Sequence, residues 1–267
     1  MCRMAGYVGP PAPLSLLLAD TPHSLYQQAF RPRLLDESSV NVDGTGVVWW
    51  PPGEREPIRY ATELPPWSDA NLLPLAARLR GGVQLAAVRS ATPGLPYGPG
   101  AVAPFTHDGL AVAHNGRIEN FRGPIGRRLL DALPDDLFHA SGTITDSVAL
   151  FLTVVHHHRI RPEKGLAGAV AAAVLDAAKL SADAGEWATL TVLASDGECV
   201  VGARTAVGAP SYTLFTLDGD PERPGAALVA SEPLDDHAGW REVPDHHLVE
   251  VSRDQVRVVP LDTEPRR

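Results

Sequence analysis

Cys2-Arg3-Met4-Ala5-Gly6-Tyr7-Val8-Gly9 is the stretch on which the reading of this chain turns. It reads as a strand that begins the fold. Its first residue follows Met1, and a small residue in second position normally allows Met1 to be removed. Removal leaves a thiol and a free α-amine on one residue. The thiolate is the strongest ordinary protein nucleophile. An α-amine titrates near ~7.7–8.0, so it can take up and return a proton at neutral pH. Cys2 is therefore a candidate nucleophile that carries its own base.

The rest of the composition narrows the setting. The 267 residues are 44% apolar and 21% charged, with a formal net charge of −9. No basic footprint marks a nucleic-acid partner. The apolar runs read as too short and Ala-rich to span a bilayer, and Leu14 to Leu18 lacks the basic start and cleavage site of a signal peptide. A cytoplasmic protein without nucleic-acid or membrane partners is expected. Only Cys2 and Cys199 are cysteines, and no metal-ligand spacing occurs, so neither a metal nor another cofactor is expected. Cys199, in Glu-Cys-Val-Val-Gly, reads as a buried strand residue.

Working outward, short helices are expected over Leu14–Ala19 and Ser24–Phe30. A strand is expected over Gly46–Trp50, a helix over Asn71–Arg80 behind Ser68-Asp69, and a strand over Val83–Val88. Pro93 to Pro104 reads as a loop. Leu110–Ala113 reads as a strand, and Asn120–Leu130 as a helix interrupted by Gly123-Pro124. Thr145-Asp146-Ser147 caps a helix to about His158, and Leu166–Leu180 forms a second, Ala-rich helix. Strands then follow over Thr189–Ala194, Cys199–Ala203, Tyr212–Thr216, Ala226–Ala230, His247–Val251 and Val256–Val259. Asp196-Gly197 and Asp218-Gly219 mark turns. This order suits antiparallel sheets packed with helices better than alternating βαβ units. One domain over 1–267 is expected, frayed after about residue 261.

Four segments gain meaning beside Cys2. In Ala86-Ala87-Val88-Arg89-Ser90-Ala91-Thr92 a strand ends in Arg89, whose planar fork suits a carboxylate; a surface Arg in an ion pair is the other reading of the same residue. Ala113-His114-Asn115-Gly116 offers an amide side chain and a Gly N–H to one oxygen; the same Asn-Gly pair is also a hairpin signal. Gly142-Thr143-Ile144-Thr145-Asp146-Ser147 puts a carboxylate at a helix start, either to complement the helix dipole or to receive a substrate ammonium. Asn41-Val42-Asp43-Gly44-Thr45-Gly46 supplies turn glycines. His156-His157-His158 reads as a solvated helix end rather than a metal site. Only one of His246 and His247 can face a given side of a strand. Trp49, Trp50 and Trp240 are candidates for an apolar or cation-binding wall.

Met-Cys, Asp-Gly-Xaa-Gly, Arg-Xaa-Ala-Thr, His-Asn-Gly and Thr-Asp-Ser, in that order, resemble the class II glutamine amidotransferases, the N-terminal-nucleophile hydrolases with a leading Cys. Ser231-Glu232-Pro233-Leu234-Asp235-Asp236, Gly239-Trp240, Val243-Pro244-Asp245 and His247 to Val251 are similar to the amidohydrolases of ergothioneine biosynthesis. So are Arg89-Ser90-Ala91-Thr92 and Pro104-Phe105-Thr106. The resemblance spans nearly the whole chain. It implies an α+β fold, a four-layer αββα sandwich of two antiparallel sheets between helical layers. It implies Cys2 as nucleophile, with Asn115 and Gly116 as oxyanion donors. Arg89, with Thr92 beside it, would hold an α-carboxylate, and Asp146 an α-ammonium. The implied partner is a small γ-glutamyl substrate, γ-glutamyl-hercynylcysteine sulfoxide in the ergothioneine branch. A glutaminase feeding ammonia to a separate partner, or a non-catalytic γ-glutamyl-binding protein, are the alternatives. Three features depart from the ergothioneine pattern: Met4 replaces a His, Thr45 an aromatic, and Arg117 to Ile144 is longer. They are expected on the leaving-group side.

Overall fold

A computed structural model describes residues 2–34, 40–91, 94, 96–220 and 222–261. Two antiparallel sheets lie face to face between helical layers. The first sheet contains β1 (Arg3–Pro13), β2 (Thr45–Trp50), β3 (Ile58–Thr62), β4 (Arg80–Val88), β9 (Phe215–Asp220), β10 (Arg223–Ala230) and β11 (Arg241–Glu242). Its spatial order is β11-β9-β10-β1-β4-β2-β3, so the opening strand is central and paired on both sides over Ala5–Val8. The second contains β5 (Phe105–His107), β6 (Leu110–Ile118), β7 (Ala188–Ser195), β8 (Val200–Val207), β12 (His247–Val251) and β13 (Val256–Pro260). Its order is β13-β12-β8-β7-β6-β5.

Side-chain alternation sorts the apolar residues into three layers. Met4 and Val8 of β1, Leu85 and Ala87 of β4, Ala111 and Ala113 of β6, and Leu193 of β7 fill the space between the sheets. Ala5 and Tyr7 face outward, under the short helices α1 (Leu25–Phe30) and α2 (Leu72–Ala76). Val112, Leu190 and Val192 face the other way, under α3 (Pro124–Asp131), α5 (Asp146–Ile160) and α6 (Gly165–Ala184). A short α4 spans Asp135–His139.

The helix over α5 starts where the sequence places it. The Thr145 hydroxyl accepts the Val148 N–H at 3.1 Å, a cap whose loss typically costs about 1 kcal/mol. Gly185, at φ +70°, ends α6 in the left-handed conformation that glycine takes without strain. The stretch 162–184 holds an 18-residue window of mean hydropathy 1.4 and is long and apolar enough to cross a bilayer, contrary to the expectation from apolar runs. In the fold, Leu166, Ala169, Val170, Ala173, Val174 and Ala177 bury one side of it in the core.

Several expectations shift. The first strand runs on to Pro13, with a bulge between Val8 and Ala12. Leu16–Asp20 is a π-helical turn, closed by the Ser15 hydroxyl donating to Asp20. The helix expected to Arg80 stops at Ala76, because Arg80 already pairs with Pro13 in the sheet. Asp69 caps nothing helical: its carboxylate takes the Asn71 N–H and the Tyr60 hydroxyl. Gly123-Pro124 starts α3 instead of interrupting it, since Pro at the first helical position loses no bonded N–H. Asp218-Gly219 lies inside β9; the turn comes after Asp220, and the pairing slips where Gly219 adopts φ +76°. β3, β5, β11 and α4 carry no clear local signal and were not foreseen.

Trp49 and Trp50 lie on opposite faces of β2, each 5% exposed and packed in a different core layer. They form no wall at the site. The Trp240 indole N–H donates to Asp235.

Candidate active site

Cys2 stands just before β1, and β1 pairs with the end of β4 through Arg3 opposite Val88. Strand alternation puts Cys2 on the face of Met4, the inner face. Its sulfur lies 3.9 Å from the Ser90 carbonyl oxygen. Arg89, on the inner face with Leu85 and Ala87, therefore sits beside Cys2. The Arg89 N–H donates to Gly44 O, and Asp43 accepts the Ala91 N–H at 2.7 Å. Gly44, at φ +141°, has no room for a Cβ against Val102 and Thr62 O. The Asp43-Gly44 turn thus holds the exit of β4 from below.

Arg89 is 7% exposed. Its Nη2 donates to Pro96 O at 2.9 Å, and its guanidinium carbon lies 5.8 Å from the Tyr97 ring centroid. Its Nη1 is buried without a partner among the described residues. A cation so placed keeps one donor for an incoming anion. Thr92 lies outside the described residues.

Across the gap, Asn115 shares the inner face of β6 with Ala111 and Ala113. It is 0% exposed, and neither Oδ1 nor Nδ2 has a hydrogen-bond partner among the described residues. Leaving a buried amide unpaired costs about 1–3 kcal/mol. Asn115-Gly116 is not a hairpin: β6 continues through it, with Asn115 opposite Thr191 and Gly116 opposite Leu190. A Cβ on Gly116 would collide with the Thr189 carbonyl and the His114 ring. Glycine is thus required where the outward side of β6 meets its neighbours.

Asp146 opens α5 and is 5% exposed. One carboxylate oxygen accepts the Ile118 N–H at 3.0 Å and the other the Ser147 N–H at 2.8 Å. Ile118 is three residues beyond Asn115 on β6, so this carboxylate is tied to the same strand. Behind it, His114 Nε2 lies 3.0 Å from Thr189 O. A carbonyl can only accept, so Nε2 carries the proton. Burial holds the His114 imidazole below its ordinary pKa, against the opposing pull of Asp146 and Thr189. In the neutral ring Nδ1 is an acceptor, and the Ser147 hydroxyl donates to it at 3.0 Å.

Cys2 and Arg89 thus share the inner face of the first sheet and Asn115 lies on the inner face of the second, with Asp146 bonded to β6 through Ile118. Met4 and Thr45 are not at an entrance: Met4 is 1% exposed in the inner core, and Thr45 is 0% exposed and donates to Leu64 O. The long 117–144 segment does shape the surroundings. Phe121, Arg122, Leu130, Phe138 and Ile144, with Pro96, line a cleft of ≈ 960 Å³ that borders the Arg89 loop. Sequence reasoning passed over Pro96, Tyr97, His114, Ser147 and the Arg3–Glu232 pair. His114, Ser147 and Glu232 lie inside quoted motifs, but their partners are distant in sequence.

No family model matches the sequence. The chain is similar in fold to the glutamine aminotransferase class-II domain protein from Silicibacter pomeroyi, with a TM-score of 0.71 and 22% identity over 97% of this chain and 98% of that one. The two-sheet αββα architecture is that of the class II glutamine amidotransferases, with an N-terminal-nucleophile fold. It is 33% identical over 261 residues to the gamma-glutamyl-hercynylcysteine sulfoxide hydrolase of Mycolicibacterium smegmatis, covering 98% of this chain and 100% of that protein. Against the Mycobacterium tuberculosis protein of the same name, identity is 34% over 262 residues, 98% of this chain and 97% of that one. The chain belongs to the gamma-glutamyl-hercynylcysteine sulfoxide hydrolase family.

Proposed function

We propose that this enzyme hydrolyses the γ-glutamyl amide of γ-glutamyl-hercynylcysteine sulfoxide, releasing glutamate and hercynylcysteine sulfoxide, a step of ergothioneine biosynthesis. The observation that carries the reading is the fully buried Asn115 amide, without a hydrogen-bond partner among the described residues, on the inner face of β6. Such a group is costly unless a ligand oxygen completes it.

In this reading Met1 is removed and the Cys2 α-amine takes the thiol proton. The sulfur attacks the γ-carbonyl carbon, and the carbonyl oxygen gathers negative charge beside Asn115 Nδ2 and the Gly116 N–H. Collapse breaks the C–N bond, and the protonated α-amine returns its proton to the leaving amine. Water, deprotonated by the same amine, then cleaves the glutamyl thioester. Arg89, with Thr92 beside it, receives the α-carboxylate and Asp146 the α-ammonium, so the zwitterionic head has one anchor of each sign. Each step uses groups of the chain itself. A reducing cytoplasm suits this assignment, because oxidation consumes a thiol nucleophile.

The test is mass-spectrometric assay of the purified protein against γ-glutamyl-hercynylcysteine sulfoxide and free glutamine. Preferential release of glutamate from the conjugate is expected; preferential turnover of glutamine overturns the substrate assignment. Intact mass supplies an independent check: Met1 retained in an active preparation refutes the α-amine base.

A further inference from the structure

Directly after the nucleophile, Arg3 points to the outer face of β1 and is 0% exposed. Its Nε lies 3.3 Å from Glu232 Oε1, and both side chains are fully buried. None of the three guanidinium nitrogens makes a hydrogen bond among the described residues. Glu232 Oε2 accepts the Arg33 N–H at 2.8 Å. Next door, the Ser231 hydroxyl accepts the Met4 N–H at 3.1 Å, while the Ser231 N–H donates to Met4 O at 2.9 Å. Residues 231–232 thus clamp the first turn of chain behind Cys2 by backbone and by charge.

A pair of this kind is a poor way to gain stability. Desolvating both ions offsets their attraction, and well-packed apolar replacements are often as stable or more so. The missing guanidinium hydrogen bonds deepen that deficit. We propose that Arg3 and Glu232 form a positioning pair for Cys2: Glu232 fixes the guanidinium, and the guanidinium fixes the register of the nucleophile and sets the field behind its thiol. Burial pulls the Arg3 guanidinium below its usual pKa, while Glu232, Cys2 and Tyr212 act to hold it up. Arg33 reaches the pair only with its backbone N–H, its side chain being turned to Asp236 and Pro233.

The inference rests on Cys2 as the nucleophile but not on the identity of the substrate. Its test reads the thiol directly: the rate of iodoacetamide alkylation of Cys2 in the mature full-length protein, resolved from Cys199 by peptide mapping at one neutral pH. Glu232→Gln leaves an uncompensated cation behind the thiol and should speed alkylation. Arg3→Met leaves an uncompensated anion and should slow it, each by about threefold or more. Arg3→Lys keeps the charge and should stay within about twofold of the parent. In turnover of a γ-glutamyl amide, Arg3→Met should lower kcat with little change in KM. A purely structural role moves both neutralising variants in the same direction or leaves Cys2 reactivity unchanged, and either result overturns the proposal. Should Arg3→Met fail to fold, slower alkylation in Glu232→Gln, or a large loss in Arg3→Lys, overturns it equally. If the substrate assignment alone is wrong, the alkylation pattern persists without conjugate turnover.

Discussion

Cys2 and Cys199 both stand half-buried at the entrance to a strand, β1 and β8, yet their surroundings are opposite. Beside Cys2 are the Arg3 and Arg89 cations, and the facing sheet carries the Asn115 amide, without a partner among the described residues. Cys199 is ringed by acids: its sulfur lies 3.7 Å from Asp196, and Glu198 and Glu250 are close. Burial first, and those carboxylates after it, push the Cys199 thiol well above the ordinary cysteine pKa. Both thiols are half-buried, so what differs is their company: cations beside Cys2, carboxylates beside Cys199.

The largest expected effect tests that separation outright. Cys2→Ala should reduce amide hydrolysis by about 10⁴-fold or more, as loss of a nucleophile does elsewhere. Cys199→Ser should leave kcat/KM within about twofold. Steady-state assay of both variants decides it, and comparable losses would dissolve the contrast between the two regions. Asn115→Ala comes next. Removing one preorganised oxyanion donor costs about 10²–10³ in kcat, with KM nearly unchanged. A loss seen mainly in KM would move Asn115 from the developing charge to ground-state binding.

The head-group anchors sharpen the comparison on the binding side. Arg89→Lys keeps the charge but loses the planar fork, and Asp146→Asn loses the charge and, with one acceptor oxygen in place of two, one of the Ile118 and Ser147 hydrogen bonds. Each should raise KM about 10–100-fold. Isothermal titration with glutamate gives the binding term separately. Unchanged affinity in both variants would remove the zwitterion anchors from the site.

How much of this was legible in the sequence differs between backbone and side chain. The α5 start was readable because Thr145 caps it locally, and the order of motifs was enough to name the fold. Asn115-Gly116 shows the limit. Its dipeptide favours a tight turn in isolation, but β7 lies alongside and pairs through Ile118, so ladder bonds override the local preference. Met4 and Thr45 drew notice because they differ from the family pattern; the fold buries both, Met4 on the inner face it shares with Cys2. Arg3 and Glu232 are 229 positions apart in the chain, and no local rule pairs them.

The smallest effect separates the two regions by their response to acid. His114 lies behind the site, desolvated and held below its ordinary pKa. The unfolded chain takes a proton on this residue near ~6.5, whereas the folded chain resists it to lower pH. The unfolded state therefore binds more protons across that window, so its contribution to stability is complete above ~6.5 and shrinks as pH falls below it. Protonation also places a hydrogen on Nδ1, which then can no longer accept from Ser147 at the start of α5. His114→Gln should lower Tm modestly at about pH 7.5 but flatten the further decline toward about pH 5.5. Thermal melts of both proteins across that range measure it. Hydrogen exchange locates it: at the acid end, faster exchange is expected at Ile118 and the first turn of α5, with the start of β8 beside Cys199 unaffected. Parallel Tm curves for the two proteins would show that acid weakens the fold elsewhere, and that the region around Cys2 is no more pH-sensitive than the region around Cys199.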